Sequence, residues 1–460
     1  MITLCVIARN EEKLLPGCLE SVKGVADQVI VVDTGSGDRT AEIAHVMGAT
    51  VVEYKWCDDF SAARNAALPH VPKEEGSYLL ILDADERLAP GAGEALKREA
   101  ERGRIDLGLL TLHNARASTS TPENIVSGRE RHGEPILLPR FIRWSEDLCW
   151  EGTIHENVES WLLRGGRKHG RIDASIIHYG GIPSERERLG KHARNVKLLR
   201  KHCAEYPDDG LMHARLAGEL EDMGRTTEAL EVAQRAWSIH VQDRFQVQMD
   251  RDPVMAATVF VFLLTKLGRR DQAAAVLEQA EELATNHPNF DLLRALLCEL
   301  RFLEQPNAND PLVEAEHCLE SCIEREGELF ISPLLPGATS WAAGTRLGTV
   351  RLLLGKAREA AEAFQIALCM SPEHREALLG VAEARLRGGD ATTAIKELEP
   401  LLQEPDPDAW FLIAQAADEI GAKKDARLFA ETAVQALKVQ GFVGSHRKLQ
   451  LSKLEALLAG

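Results

Sequence analysis

The first half of the chain alternates short apolar runs with segments of helical spacing. Each run is continuously apolar, which is typical of strands that are buried on both faces. The strand–helix–strand order predicts a parallel sheet in an α/β domain. The runs are residues 4–8, 28–32, 50–54 and 78–82, and the helical segments between them are 11–25, 38–47 and 60–68.

Acidic residues directly follow two of these runs. Asp33 comes after the second run, and Asp83 comes after the fourth. The carboxyl ends of parallel strands meet at one edge of a sheet, and ligands bind in the crevice beyond that edge. We therefore expect both aspartates to lie beside a ligand site.

From about residue 186 onward the strand pattern ends and helical segments recur in pairs separated by glycines. Gly355, Gly389 and Gly421 are 34 and 32 residues apart (389 − 355 and 421 − 389), close to the ~34-residue period of tetratricopeptide repeats. Looser pairs surround Gly224 and Gly268. Such repeats leave a concave surface for a peptide or protein, although a packing or dimerisation scaffold would have the same pattern.

These changes of pattern predict four segments. They are an α/β domain at 1–185, linker helices and loose repeats at 186–285, an irregular helical insertion at 286–340 and tetratricopeptide-like repeats at 341–460. Residues 115–135 are polar and rich in Ser, Thr, Pro and Gly, which favours a surface loop. A lid over an acceptor is the alternative for this loop.

Composition narrows the function classes. A formal net charge of −17 argues against a nucleic-acid binder, which needs clustered Lys and Arg. The nine cysteines form no CxxC pair, and Cys318 and Cys322 share a helical face, which favours small core residues over a metal or redox site. There is no signal-peptide pattern at the N-terminus and no apolar window approaches the ~20 residues of a membrane span, so we expect a cytoplasmic protein.

The segment Asp83-Ala84-Asp85 is the first candidate for chemistry. Carboxylates at positions i and i+2 past a strand end can turn towards one cation, and Mg²⁺ or Mn²⁺ prefers such oxygen ligands. The ion would offset the negative charge of a diphosphate and stabilise it as a leaving group. Alone the motif is weak, because aspartates commonly end strands.

Four segments, in this order, make the motif more specific. They are CVIARNEE (5–12), VVDTGSGDRT (31–40), FSAARNAA (60–67) and LILDADE (80–86). Together they resemble glycosyltransferase family 2, the inverting enzymes of the A-type fold, over about residues 1–180. The resemblance implies an α/β nucleotide-sugar transferase domain, which is followed here by an all-α helical-repeat domain.

The same resemblance implies roles for individual residues. A carboxylate accepts hydrogen bonds from a base or from ribose hydroxyls, and a guanidinium binds phosphate through two N–H groups. A surface salt bridge is the alternative for the arginine. By resemblance, the nucleotide pocket would be lined by Ala8, Arg9 and Glu11 or Glu12, and the base or ribose would be contacted by Asp33. The pyrophosphate would be contacted by Arg64, and the ribose or donor by Asp83 and Ala84. The metal would be held by Asp85.

A later segment, WEGTIHE at 150–156, resembles the G-x-x-H-E signature of a family 2 subgroup that includes lipopolysaccharide-core glucosyltransferases and repeat-bearing bacterial enzymes. Inverting transfer needs a base for the acceptor proton. Glu156 is the first candidate and Glu151 the second, while His155 would position the diphosphate or the acceptor. A buried His–Glu pair that only orders the loop is the alternative. His178 follows a short apolar strand, and it would be a metal ligand, a phosphate contact or a structural histidine.

We therefore expect a metal-dependent inverting glycosyltransferase, hexosyltransferase-like, that uses a nucleoside diphosphate sugar, with uridine as the base, and Mn²⁺ or Mg²⁺. Fusion to helical repeats resembles bacterial enzymes that glycosylate peptides, so the expected acceptor is a peptide or protein presented by the repeats. The repeats could also mediate homo-oligomerisation. The alternatives are a cell-envelope or lipopolysaccharide glycan as acceptor, a non-catalytic scaffold, and a nucleotidyltransferase. Against the last counts the first loop, ARNEE at 8–12, which is neither Gly-rich nor Lys-bearing.

Overall fold

The computed structural model describes residues 1–180, 190–242, 253–284, 287–306, 308–328, 330, 334–403, 406–440, 450, 452–455 and 457–458. The predicted domain boundary at 185/186 lies outside these ranges. By its internal contacts the chain divides into two compact units, Met1–Thr285 with Leu329–Pro333, and Asn286–Glu328 with Leu334–Gly460.

The first unit is built on a sheet of eight strands in the part of the chain that is described. Along the sheet the strands follow the order β3-β2-β1-β4-β7-β6-β8-β5. Their bounds are β1 Ile2–Ala8, β2 Gln28–Asp33, β3 Thr50–Glu53, β4 Tyr78–Asp83, β5 Glu86–Leu88, β6 Leu107–Asn114, β7 Ile136–Arg143 and β8 His169–His178.

The sheet is mixed rather than parallel throughout. The parallel arrangement predicted from the sequence is confirmed for β1 to β4. It is wrong for the whole sheet, because β7 runs antiparallel between β4 and β6, and β5 is antiparallel to β8. Two strands can pair antiparallel without the long crossover that a parallel pair requires, and no sequence period marks that choice.

Short helices connect the strands of the sheet. Some of them begin where the sequence provides a start signal. For example, Pro16 lies in the first turn of the first helix, and the Asp59 side chain accepts a hydrogen bond from the N–H of Ala62 in the third. The predicted loop at 115–135 contains a helix, and Ile125 within it is fully buried, so this segment is not entirely a surface loop. The helices are α1 Leu15–Ser21, α2 Thr40–Val46, α3 Phe60–Asn65, α4 Ala92–Arg102, α5 Pro122–Val126 and α6 Glu159–Arg164, with a 3₁₀ turn at Leu68–His70.

The central strands are covered on both faces. Along β1, Leu4 and Val6 belong to one apolar cluster, whereas Cys5 between them belongs to another. Side chains of a strand point alternately to the two faces of the sheet, so the two clusters are the two sides of the core. This explains why the strands read as continuous apolar runs. It also holds their carboxyl ends in fixed positions.

In the described residues, the first unit has five further helices. The predicted helical pairs around Gly224 and Gly268 are confirmed as α8–α9 and α10–α11. The helices are α7 Lys191–Glu205, α8 Gly210–Asp222, α9 Thr226–Gln242, α10 Pro253–Lys266 and α11 Arg270–Leu283.

The second unit is helical wherever it has regular structure in the described residues. The predicted pairs α14–α15, α16–α17 and α18–α19 are confirmed, and Gly355 between the first two helices has a φ of +78°, which favours glycine. The stretch 286–340, predicted as an irregular insertion, contains α12 and α13. The helices are α12 Pro288–Glu304, α13 Asp310–Glu324, α14 Trp341–Leu353, α15 Ala357–Met370, α16 Arg375–Arg387, α17 Ala391–Leu398, α18 Pro407–Glu419 and α19 Lys423–Gln440, with a 3₁₀ helix at Glu399–Gln403.

In the described part of the chain, no helix combines the length and the apolar character needed to cross a lipid bilayer.

Candidate active site

Three strand ends meet at one edge of the sheet. Ala8 at the end of β1 pairs in register with Asp33 at the end of β2, and Ile7 pairs with Asp83 at the end of β4. The prediction that the two aspartates share an edge is thus confirmed. The crevice beyond this edge is where the chain can receive a ligand.

A cleft of about 590 Å³ lies at this edge. It is lined by residues of the strand ends, of the 150–157 segment and of the helices α7 and α8. Asp33, Glu12 and Glu151 are not among its lining residues. The predicted site residues that do line it are Ala8, Arg9, Glu11, Arg64, Asp83, Ala84, Asp85, His155, Glu156 and His178.

Asp33 is buried directly behind the cleft, beside the lining residue Thr34. One carboxylate oxygen, Oδ1, accepts hydrogen bonds from the backbone N–H groups of Gly35 and Ser36, each at 2.8 Å. The other, Oδ2, is buried and has no hydrogen-bond partner in the described residues. A buried acceptor without a donor costs free energy, so this atom suits a ligand that brings an N–H or O–H group.

Arg64 joins two of the acidic candidates. It projects from α3, and its side chain is only 6% exposed. Its Nε lies 2.8 Å from Oε1 of Glu156, and its Nη2 lies 2.7 Å from Oδ1 of Asp83. The guanidinium therefore holds both carboxylates, while its third nitrogen, Nη1, is buried without a hydrogen-bond partner among the described residues. A phosphate contact by Arg64 remains a prediction.

Asp83 is held by a second arginine as well. Nη2 of Arg140, on β7, lies 3.2 Å from Oδ2 of Asp83 and 2.6 Å from Oε1 of the buried Glu86. Burial raises the pKa of Asp83, but the positive charges of Arg140 and Arg64 outweigh it, so the pKa falls below its usual range. Asp83 is therefore a carboxylate that is fixed within a network of ion pairs. The network connects, in order, Glu156, Arg64, Asp83, Arg140 and Glu86.

Asp85 faces His178 across the sheet. The antiparallel pairing of β5 with β8 brings these distant segments together, and Nε2 of His178 lies 3.3 Å from Oδ2 of Asp85. Nδ1 of the same ring is 2.8 Å from Oδ1 of Asn114, so the amide oxygen accepts from Nδ1–H and Nε2 faces Asp85. Burial opposes protonation of His178, but the hydrogen bond to Asp85 and its charge raise the pKa overall.

A tight turn presents His155 and Glu156 to the cleft. The backbone N–H and C=O groups of Glu151 and Asn157 pair with each other at 2.9 Å on either side of the turn. His155 has a left-handed φ of +56°, a conformation that is costly for a residue with a Cβ and is enriched at functional sites. Desolvation within the cleft, and then the charge of Arg215, lower the pKa of His155 to about 3.

Glu151 points elsewhere. Its side chain is exposed, and Oε2 accepts a hydrogen bond from the hydroxyl of Ser160 at 2.5 Å. Of the two predicted bases, only Glu156 borders the cleft.

Several residues of the cleft region were not anticipated from the sequence. Only Arg140 carried a local signal: it interrupts the otherwise apolar stretch LLPRFI at 137–142, which indicates an arginine with a buried partner. The other residues carry no local signal, because they reach the cleft through tertiary packing. They are Asn114 behind His178, and Lys191, Arg194, Asn195 and Arg215 from α7 and α8.

Comparison with known proteins agrees with this arrangement. The model of the family described as glycosyl transferase family 2 matches residues 3–125, and a tetratricopeptide repeat model matches residues 345–403. A TPR repeat-containing protein of Synechococcus elongatus is 34% identical over 240 residues, which cover 51% of this chain and 55% of the relative. The SPbeta prophage-derived glycosyltransferase SunS of Bacillus subtilis is 37% identical over 295 residues, which cover 62% of this chain and 63% of the relative.

The chain thus spans between half and two thirds of the length of these relatives. Among solved structures, a tetratricopeptide repeat protein of Parabacteroides merdae is similar with a TM-score of 0.39 and 16% identity, covering 60% of this chain and 96% of that one. Together with the strand order and the helical pairs, the family matches identify the parts of the molecule. The matches identify residues 3–125 as a glycosyltransferase family 2 domain and residues 345–403 as tetratricopeptide repeat.

Proposed function

We propose that this protein is a metal-dependent inverting glycosyltransferase that moves a sugar from a UDP-sugar to a peptide or protein. The observation that carries the proposal is the convergence of Asp85, His178 and Glu156 on one cleft at the carboxyl edge of the sheet. The family match and the similarity to a Bacillus glycosyltransferase support the reaction class. The repeats support a peptide or protein acceptor, because stacked helical pairs offer surfaces for such partners.

The donor would bind along the strand ends. Oδ2 of Asp33 is the acceptor for a base N–H or a ribose hydroxyl. Asp83, fixed by its two arginines, would accept hydrogen bonds from hydroxyl groups of the donor.

The residues fit a divalent metal ion at Asp85 and His178. Both oxygens of Asp83 already accept from guanidinium groups, so that carboxylate is poorly placed as a ligand. Asp85 and His178 offer one oxygen and one nitrogen, a mixed set that suits Mn²⁺ better than Mg²⁺, and diphosphate and water would supply the other ligands. When bound, the metal would offset the charge of the departing nucleoside diphosphate.

Glu156 would act as the base. The acceptor nucleophile forms a bond to the anomeric carbon while the bond from that carbon to the diphosphate oxygen breaks. The electron pair of that bond leaves with the nucleoside diphosphate, and the proton of the acceptor passes to Glu156. Arg64 holds the carboxylate in place at 2.8 Å, and attack on the face opposite the leaving group inverts the configuration.

The test is donor turnover by the full chain. A panel of nucleoside diphosphate sugars with Mn²⁺ is screened first by thermal shift, since binding raises apparent stability. Release of the nucleoside diphosphate is then measured for the wild type, for Asp85→Asn and for the control Asp173→Asn, an exposed position on β8. We expect turnover only from the wild type and the control. Equal turnover by Asp85→Asn and the wild type would contradict the proposed role of Asp85 as a metal ligand. If no form turned over the donor, the proposal that the protein is a glycosyltransferase would be contradicted.

Acceptor class is tested separately by mass spectrometry of products formed from peptides and from lipopolysaccharide-core oligosaccharides. Transfer to oligosaccharides alone would replace the peptide proposal with a cell-envelope glycan. Cytoplasmic localisation and homo-oligomerisation through the repeats stay predictions.

A further inference from the structure

One wall of the cleft comes from outside the part of the chain that matches the family 2 model. Lys191, Arg194 and Asn195 on α7 line the cleft, and so does Arg215 on α8. The family model ends at residue 125. A sheet domain whose cleft is lined by several carboxylates thus receives positive charge from the helices that follow it.

Three cations of the cleft have no acidic partner. Among the residues that the structure describes, no carboxylate oxygen lies within 4.0 Å of the charged nitrogens of Arg9, Lys191 or Arg194. Nζ of Lys191 is 3.4 Å from the carbonyl oxygen of Gly180, and the Arg194 guanidinium lies over the Phe60 ring, 5.3 Å from its centroid. Two other arginines that line the cleft, Arg64 and Arg140, are by contrast each bound to two carboxylates. Lys191, Arg194 and Arg9 can therefore meet the charge of a bound anion in this cleft.

The wall is held in place by contacts between α7 and α8 and by buried residues of α7. Nδ1 of His192 lies 2.7 Å from Oε2 of Glu219 on α8, and Nδ2 of Asn195 donates to Oε1 of the same carboxylate at 2.9 Å. Leu198 and Leu199 of α7 are fully buried. These contacts fix the helix, and they thereby hold Lys191 and Arg194 at the cleft.

The positions of these cations indicate which anion they meet. Lys191 contacts Gly180, and a Cβ built on Gly180 would lie 1.6 Å from Oδ2 of Asp85, so Lys191 is near the Asp85–His178 pair. Arg9 follows the end of β1 and lines the same cleft as Arg194. Burial lowers the pKa of Arg194, the charge of Glu219 raises it, and the positive charge of Arg9 lowers it further. The cations therefore border the region between the strand ends and the proposed metal ligands, which is where the donor diphosphate would lie.

We propose that Lys191 and Arg194, together with Arg9, bind the diphosphate of the nucleotide-sugar donor. The inference rests on the proposed function, and it assigns part of the donor site to a helix beyond the family 2 match. As the bond from the anomeric carbon to the diphosphate oxygen breaks, negative charge grows on the diphosphate. Fixed ammonium and guanidinium groups stabilise that charge without reorganisation.

The experiment measures binding of UDP, UMP and uridine to the full chain in the presence of Mn²⁺ by titration calorimetry. For Lys191→Gln and Arg194→Gln we expect the Kd of UDP to rise roughly tenfold each, because a hydrogen bond to a charged group is lost. Binding of uridine should stay as in the wild type. The matched control is Lys201→Gln, an exposed lysine on the same helix that does not line the cleft, and Arg194→Lys should restore most of the affinity.

Each outcome decides something different. If both glutamine variants keep the UDP affinity and the donor turnover of the wild type, the proposed binding of the diphosphate by these cations is wrong. The proposed function would then be left intact. A rise in the acceptor KM with an unchanged donor Kd would also overturn it, because the cations would then serve the acceptor. If the folded wild type binds no UDP with any divalent metal, both the wall and the proposed function fail.

Discussion

Nη2 of Arg64 lies 2.7 Å from Oδ1 of Asp83, so an arginine of one family segment is bound to the first aspartate of another. The two residues are 19 positions apart in the chain (83 − 64), and they lie on different elements, Arg64 on α3 and Asp83 on β4. The pair means that Asp83 contributes a carboxylate already neutralised by the protein. It leaves Asp85 as the acidic residue of the triplet with charge available for a cation.

Replacing Arg64 should destabilise the protein. Arg64→Leu leaves Glu156, whose side chain is 12% exposed, without its ion-pair partner. Breaking a buried pair from one side costs about 3 kcal/mol of unfolding free energy. Urea unfolding followed by circular dichroism measures the loss. Arg39→Leu is the control, since its pair with Glu42 is exposed and should contribute little; equal losses would show that the Arg64 pair is no stronger than a surface one.

The two candidate bases should behave differently. Glu156→Gln keeps the shape of the side chain but cannot accept a proton, so kcat should fall by about 100-fold or more with little change in donor affinity. Glu151→Gln should remain near wild type, because that side chain bonds to Ser160 outside the cleft lining. Steady-state kinetics of both variants decides the assignment, and the reverse order of effects would make Glu151 the base.

Gly180 should be needed for metal binding. An alanine there would place its Cβ 1.6 Å from Oδ2 of Asp85 and 3.1 Å from Nε2 of His178. The Asp85 side chain can turn away, so the fold should survive while the proposed ligands separate. We expect the Mn²⁺ affinity, measured by calorimetry, to fall about tenfold or more. Gly218→Ala, where nothing lies within 4 Å, should bind Mn²⁺ as the wild type does.

Asn114 should orient His178. Its Oδ1 lies 2.8 Å from Nδ1 of the ring and so directs Nε2 towards Asp85. Asn114→Leu removes the acceptor, and partners of this kind change metal affinity by about 10-fold to 100-fold when lost. Asn114→Asp retains an acceptor oxygen for the ring. It should therefore bind Mn²⁺ more tightly than Asn114→Leu does. Equal Mn²⁺ affinity in the wild type and Asn114→Leu would exclude an orienting role.

His113 should make stability depend on pH. Burial, and then the charge of Arg131, lower the pKa of His113 to about 4 in the folded protein. The unfolded chain, with a histidine pKa near 6.5, binds the proton first, so stability is complete above about pH 6.5 and falls as the pH drops towards 4. The loss is about 3 kcal/mol at most. In His113→Gln the decrease between pH 6.5 and 4, measured by urea unfolding, should be smaller by that amount; identical profiles would assign the pH dependence to other groups.

Local patterns predicted the strand ends and the helical pairs. Asp33 and Asp83 could be placed at one edge because each follows a buried strand, and Gly355 marked a turn between two helices. The resemblance suggested both Asp85 and His178 as metal ligands, but local patterns alone could not predict their contact. It depends on the pairing of β5 with a strand about 90 residues later, for which the sequence has no period. Lys191 and Arg194 were missed for the same reason. Their charges look like an ordinary solvated helix face until the packing of α7 is known.

Residues of α7 and α8 line the cleft, so the helices that follow residue 185 cannot be replaced without changing the cleft. A chimera that takes its helices from a relative at that point would also inherit the relative's cations at the ligand cleft. A junction that keeps this stretch of the first unit intact would fall after α11, at the end of Met1–Thr285. In evolution, too, a change of partner through recombination of the helices before that junction would alter ligand recognition at the same time.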